Sequence, residues 1–149
     1  MRTMIVLRPL KRAAARLPLM LFLASLWLGC TQCGRSLSQE EQAMEGARVA
    51  AQVYYDFLLR GDYQQFLAGR VGSDSLPDGY REQLLVAYKQ FVAQQQAAHR
   101  GIASASATRS AIDSTLGVVQ VFVMLSYGDS TQEEIVVPMV QRRGEWKMK

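Results

Sequence analysis

Ala97-Ala98-His99-Arg100-Gly101-Ile102-Ala103-Ser104-Ala105-Ser106-Ala107 is the stretch in which the chain changes its period. Upstream of Gly101, apolar residues recur three and four apart, as they do in helices with one buried side. Downstream, Ile102 to Ile112 alternates small apolar residues with mostly hydroxyl-bearing ones, the period of two expected of a strand. Arg100 and Gly101 suit the junction. A cation favours a helix C-terminus, and a glycine just beyond it can take the left-handed conformation.

Towards the N-terminus, Ser38-Gln39-Glu40-Glu41 has the form of a capping box, with a hydroxyl at the N-cap and a carboxylate three residues on. The helix it opens is predicted to run to about Arg60. Ala43, Ala47, Ala50, Tyr54, Phe57 and Leu58 form its buried stripe, while Arg48, Gln52 and Asp56 fall off it. Gly61 ends this helix, and Asp62 caps a short second one from Tyr63 to Ala68, with Phe66 and Leu67 inward. A polar loop occupies Gly69 to Gly79. The third helix starts at Asp78 or Tyr80 and ends at His99, with Leu84, Leu85, Tyr88, Phe91 and Val92 on its apolar side.

Towards the C-terminus, the alternation puts Ala103, Ala105, Ala107 and Ala111 on one face of the first strand. Val118 to Tyr127 is apolar at nearly every position, the pattern of a strand covered on both faces. Gly128-Asp129-Ser130 turns it into Glu133 to Arg142, and Arg143-Gly144 turns that into a short strand, Glu145 to Lys149. Helices followed by hairpin-linked strands define an α+β domain: one long, one short and one long helix packed on an antiparallel four-stranded sheet.

The 149 residues leave room for one such domain and a leader. Hydrophobic residues make up 49% and charged residues 20%, an ordinary globular balance. The formal charge of +4 is unevenly placed. Arg2, Arg8, Lys11, Arg12 and Arg16 precede every acidic residue, the first of which is Glu40. Without residues 1–29, 12 of the 17 basic residues face 13 acidic ones, a net charge of −1. Such a domain offers no electrostatic footprint for nucleic acid.

The basic segment leads into Leu17-Pro18-Leu19-Met20-Leu21-Phe22-Leu23-Ala24-Ser25-Leu26-Trp27-Leu28, then Gly29-Cys30. A positive start, about a dozen apolar residues and a small residue before the cut make a secretory signal, too short for a membrane-spanning helix. Leu26-Trp27-Leu28-Gly29-Cys30 resembles a lipobox, although Trp27 is an unusual occupant of its position. The resemblance implies that Cys30 receives diacylglycerol and fatty acyl chains such as palmitate, and that cleavage precedes it. Thr31 after the cysteine implies the outer membrane of a Gram-negative cell envelope. An ordinary cleaved signal with an incidental cysteine and an uncleaved anchor are the other readings. The organisation expected is a lipoprotein signal peptide at 1–29, a lipidated cysteine and tether at 30–37, and the folded domain at 38–149. Both cysteines, Cys30 and Cys33, precede that domain. It therefore has no disulfide framework, cysteine metal site or thiol nucleophile, and its roughly 115 residues must fold on their core alone.

Tyr54-Tyr55-Asp56-Phe57-Leu58-Leu59-Arg60-Gly61-Asp62-Tyr63, the following Phe66-Leu67 and the terminal Gly144-Glu145-Trp146-Lys147 make residues 38–149 similar to a known fold. It is the cystatin-like cone of nuclear transport factor 2 and ketosteroid isomerase, and in particular the small bacterial lipoproteins that carry it. The resemblance implies a sheet curved around the long helix, often with a pocket between them, and pairing of two copies through the sheet. Enzymes of this fold put an acid, a base or a hydrogen-bonding tyrosine in the cone. The residues available here are Tyr54, Tyr55, Tyr88, Asp56, Asp113 and His99.

Tyr54 and Tyr88 lie on apolar helix faces and are expected to be core, lining with Phe122 any pocket the cone holds. His99 is read as a solvated cap at a helix C-terminus. Asp56 should face solvent and Asp113 should sit at a turn. No acid–base pair is set up by this arrangement, and no phosphate loop, Ser/His/Asp set or metal-ligand cluster is legible. The expectation is a non-catalytic domain without cofactor or metal, binding a small apolar ligand or an envelope protein. A ketosteroid isomerase- or dehydratase-type enzyme using the cone is the alternative. The doubly apolar strand Val118 to Tyr127 leaves one sheet face to be covered by the chain's own loops, a ligand, a partner or a second copy.

Overall fold

The computed structural model describes residues 38–149, so the leader, Cys30, Cys33 and the tether of the sequence reading lie outside the described residues. Helix α1, Gln39–Leu59, begins at the capping box. The Ser38 hydroxyl accepts from the Glu41 amide at 3.2 Å, and the Glu41 carboxylate accepts from the Ser38 amide at 2.8 Å. The hydrogen bond from the Ser38 backbone holds the Glu41 carboxyl below its ordinary value. Such a cap contributes about 1 kcal/mol. At the other end Gly61, at φ +76°, donates to the Leu58 carbonyl while Asp62 donates to that of Phe57. This double closure satisfies the last turn and reverses the chain. Asp62 then caps helix α2, Tyr63–Ala68, through its side chain.

A single 3₁₀ turn, Ser73–Ser75, separates α2 from helix α3, Asp78–His99. Strands β1 (Ile102–Asp113), β2 (Val118–Tyr127), β3 (Gln132–Arg142) and β4 (Glu145–Met148) form one antiparallel sheet in the order β1-β2-β3-β4. The α+β class is therefore the one read from the sequence. The β2–β3 turn also closes α3, since the Gly128 and Asp129 amides donate to the carbonyls of Gly101 and His99.

One face of the sheet packs on α1. Val119, Val121, Val123, Leu125 and Tyr127 of β2 meet Ala47, Ala51 and Leu58 of α1, with Val137, Met139 and Met148 completing the core. Alanines on the helix allow it to sit close on the strands. Ala47, Ala51, Val121, Val123 and Met139, at the contact of helix and sheet, are 0% exposed. An aromatic chain extends the core sideways: Tyr55 meets Phe66 edge-on at 5.7 Å, and Phe66 meets Tyr88 at 5.0 Å.

One local expectation is extended and two are corrected. Gln52 and Arg48 of α1, off its buried stripe as expected, lie over the free edge of β1. The Gln52 amide donates to the Ala105 carbonyl at 3.0 Å and accepts from the Ala107 amide at 2.8 Å, and Arg48 donates to the Ala107 carbonyl. An edge strand needs partners for its outward groups, and polar side chains of α1 provide them. Second, the four alanines of β1 do not share a face. The register steps from Ala107 opposite Val123 to Arg109 opposite Phe122, leaving Thr108 as an extra residue. Beyond this bulge the alternation inverts: Ser110 turns inward to donate to the Met44 carbonyl, and Ala111 lies outward. Third, α3 has no fully buried residue. Leu84, Leu85, Tyr88 and Val92 are half-buried, and Phe91 is exposed. The helix leans on α2 and the end of β1 and does not enter the core.

The outer sheet face keeps the second apolar set of β2. The Arg109 guanidinium lies 3.4 Å from the centre of the Phe122 ring and pairs with Glu134 at 2.9 Å, while Val136 beside them is 51% exposed.

Candidate functional site

The residues singled out from the sequence are dispersed. Tyr54 points along α1 to β4, where its hydroxyl donates to the Trp146 carbonyl at 2.7 Å. Tyr55 packs against Phe66, and burial raises its hydroxyl to about 12. Tyr88 of α3 has a buried hydroxyl that meets no hydrogen-bond partner among the described residues. Phe122 lies beneath Arg109 on the opposite sheet face. Tyr54, Tyr88 and Phe122 thus occupy three separate environments. Asp56 accepts from Gln52 at 2.8 Å. Asp113 accepts from the Thr115 and Leu116 amides and the Gln120 side chain in the β1–β2 turn.

His99 is the last residue of α3, partly exposed as a terminal cap is, and it also has partners in the β2–β3 turn. Its Nδ1 lies 2.9 Å from an Asp129 carboxylate oxygen, and its ring lies 4.7 Å from that of Tyr127. Closure of α3 onto the β2–β3 turn brings these groups together, which no sequence spacing announces. Hydrogen bonds from Thr131 and then His99 hold the Asp129 carboxyl down at about 2. Among the described residues, no three His, Cys, Asp or Glu side chains are grouped to hold a metal ion. None of their helices is long and apolar enough to cross a membrane.

An open cleft of about 550 Å³ lies at the other end of the sheet, between the loop after α2 and the β3–β4 hairpin. Its scaffold is a short parallel pairing. The Val71 amide donates to the Met148 carbonyl at 2.8 Å and the Met148 amide to that of Gly69 at 2.7 Å. This fixes the loop alongside β4 and places Arg70 beside Lys147. The hairpin brings Arg142 and Arg143 to the same cleft, with Asp74 and Glu145 also on its lining. Glu145 pairs with Lys147 at 2.9 Å, a bond that holds the carboxyl below and the ammonium above their ordinary values. Lys147 also donates to the Ala68 carbonyl at 3.2 Å. Arg70, Arg142 and Arg143 make no side-chain hydrogen bond or ion pair among the described residues. Four cations against two carboxylates leave the cleft with an excess of two positive charges. In the sequence, Gly69 to Gly79 reads as a polar loop and Arg143-Gly144 as a turn. The only available signal was that each carries arginine.

A long helix packed on a four-stranded antiparallel meander, with two further helices, is consistent with the NTF2-like fold. A solved structure shows the same architecture: a Campylobacter jejuni protein provisionally named an NTF2-like transpeptidase. It superposes with a TM-score of 0.52 at 12% sequence identity, over 66% of this chain and 92% of that one. At that identity the likeness is one of fold. No protein-family model matches the sequence, and no curated protein does so either.

Proposed function

We propose that this chain is a lipid-anchored protein of the bacterial envelope whose domain is a non-catalytic binding module, with the cationic cleft as its ligand site. In this reading residues 1–29 direct export, and Cys30 carries the lipid at the outer membrane. The binding reading is carried by one observation: the cleft beside β4 is open and lined by three guanidinium groups that are unpaired among the described residues. General acid–base chemistry needs its groups within reach of one substrate atom. Tyr54, Asp56, Asp113 and His99 are instead each committed to a different partner. The lipobox-like Leu26 to Cys30 supports the anchor.

The anchor is tested by feeding a palmitate analogue to Gram-negative cells expressing the full chain. Label is expected on the wild-type protein and lost, with accumulation of uncut precursor, in Cys30→Ala. A mature protein that carries no label, or equal labelling of the variant, refutes it. The binding module is tested by native mass spectrometry of the full chain from detergent, where a reproducible bound mass is expected. Turnover of that bound molecule would replace the module with an enzyme.

A further inference from the structure

We propose that the cleft between the 70–75 loop and the β3–β4 hairpin recognises a phosphate monoester, as a soluble ester or as the headgroup of a lipid. The proposal rests on reading the domain as a binding module.

Charge is the first argument. Arg70, Arg142, Arg143 and Lys147 line the cleft against Asp74 and Glu145, and Glu145 is already engaged by Lys147. The remaining excess of two positive charges matches a doubly ionised phosphate monoester, which carries both on one group, whereas one carboxylate would leave it half compensated and a dicarboxylate splits its two charges between separate groups. Donor type is the second. A guanidinium offers a planar fork suited to two oxygens of one anion, and the three unpaired groups are all guanidinium. Size is the third. About 550 Å³ is far more than a bare phosphate fills, leaving room for the group it esterifies.

The backbone supplies a fourth argument. Arg143 and Gly144 form the hairpin turn with φ of +52° and +85°. A two-residue turn of this kind favours Asn-Gly, because both central residues must be left-handed. An arginine there is a local cost to the fold, and its side chain lines the cleft.

The full chain in non-ionic detergent is titrated by calorimetry with inorganic phosphate, glycerol 3-phosphate and a short-chain phosphatidic acid, with succinate as the carboxylate control. Phosphate and glycerol 3-phosphate are expected to bind at millimolar concentration or tighter, more weakly as salt rises, and succinate to bind more weakly than either. Arg142→Gln should weaken binding about tenfold, the loss of one charge-assisted contact. Arg143→Asn should weaken it similarly while raising the Tm, a combination that mere unfolding cannot produce. Tighter binding of phosphatidic acid than of glycerol 3-phosphate assigns the site to a lipid headgroup, and equal or weaker binding assigns it to a soluble ester. Absence of phosphate binding, unchanged affinity in both variants, or succinate binding as tightly as phosphate overturns the proposal. A bound mass found by native mass spectrometry in that case leaves the binding module standing with its ligand elsewhere. Release of phosphate from glycerol 3-phosphate would instead keep the site and refute the module.

Discussion

Tyr54 and Tyr88 are both half-buried tyrosines on helix faces, yet their hydroxyls differ in what they meet. Tyr54 donates to the Trp146 carbonyl, and Tyr88 finds no partner among the described residues. A neutral hydrogen bond contributes about 1 kcal/mol, whereas a buried unpaired polar atom costs about 1–3 kcal/mol. Tyr54→Phe should therefore lower stability by about 1 kcal/mol, and Tyr88→Phe should leave it unchanged or raise it by about 1 kcal/mol. Urea unfolding of the two variants separates them, and equal losses would contradict this assignment. The core role of both rings was legible from helical spacing. The fates of their hydroxyls were not, because each depends on which carbonyl another element brings near. Gly69 makes the same point. A Cβ there would lie 2.5 Å from a Tyr54 ring carbon, yet the sequence shows only a glycine opening a loop.

Among the elements, β1 depends most on its neighbour. It is one of the sheet's two outer strands, and Gln52 occupies its free backbone edge with one donor and one acceptor. Gln52→Ala would leave the Ala105 carbonyl and Ala107 amide to water or to another chain's strand. Stability should fall by about 1–2 kcal/mol, and amide exchange at Ala107 should quicken while that of central β2 stays slow. Unchanged exchange at Ala107 would show that the side chain is dispensable. The strands themselves were readable from their period. The Thr108 bulge was not, since Ala111 resumes the alternating pattern after Arg109 and only the pairing of Arg109 with Phe122 exposes the extra residue. Helix α3 shows the opposite limit. Its apolar stripe is clear in the sequence, but a stripe states what a helix could bury and not how closely it is met.

For the molecule as a whole, the titrating groups set a pH window. Asp129 is held at about 2 in the folded state against an ordinary 3.8, by hydrogen bonds from Thr131 and His99. A depressed folded value gives stability that is present above the unfolded value and is lost as pH falls from about 4 towards 2. Tyr55 is raised by burial to about 12 against an ordinary 10. A raised value gives stability that is present below pH 10 and is lost as pH rises towards 12. Thermal unfolding across pH should show a plateau with these two shoulders. Asp129→Asn should reduce the acid one, leaving the part that Glu41 and Glu145 supply, and Tyr55→Phe should reduce the alkaline one. If Tyr55→Phe leaves the alkaline shoulder intact, another tyrosine produces it.

The sequence by itself determined the order of elements, the caps at Ser38 and Asp62, the hairpin turns and the change of period at Gly101. Each of these depends on residues within a few positions of one another, whose hydrogen bonds and packing preferences repeat with the local backbone geometry. The cationic cleft, the Gln52 clamp and the pairing of His99 with Asp129 were decided only by tertiary structure. Arg70 lies far along the chain from Arg142, Arg143 and Lys147, and the parallel pairing beside β4 makes them neighbours. Charges on separate loops look like ordinary solvated surface until packing sets them around one space, because local periodicity carries no information about which elements meet.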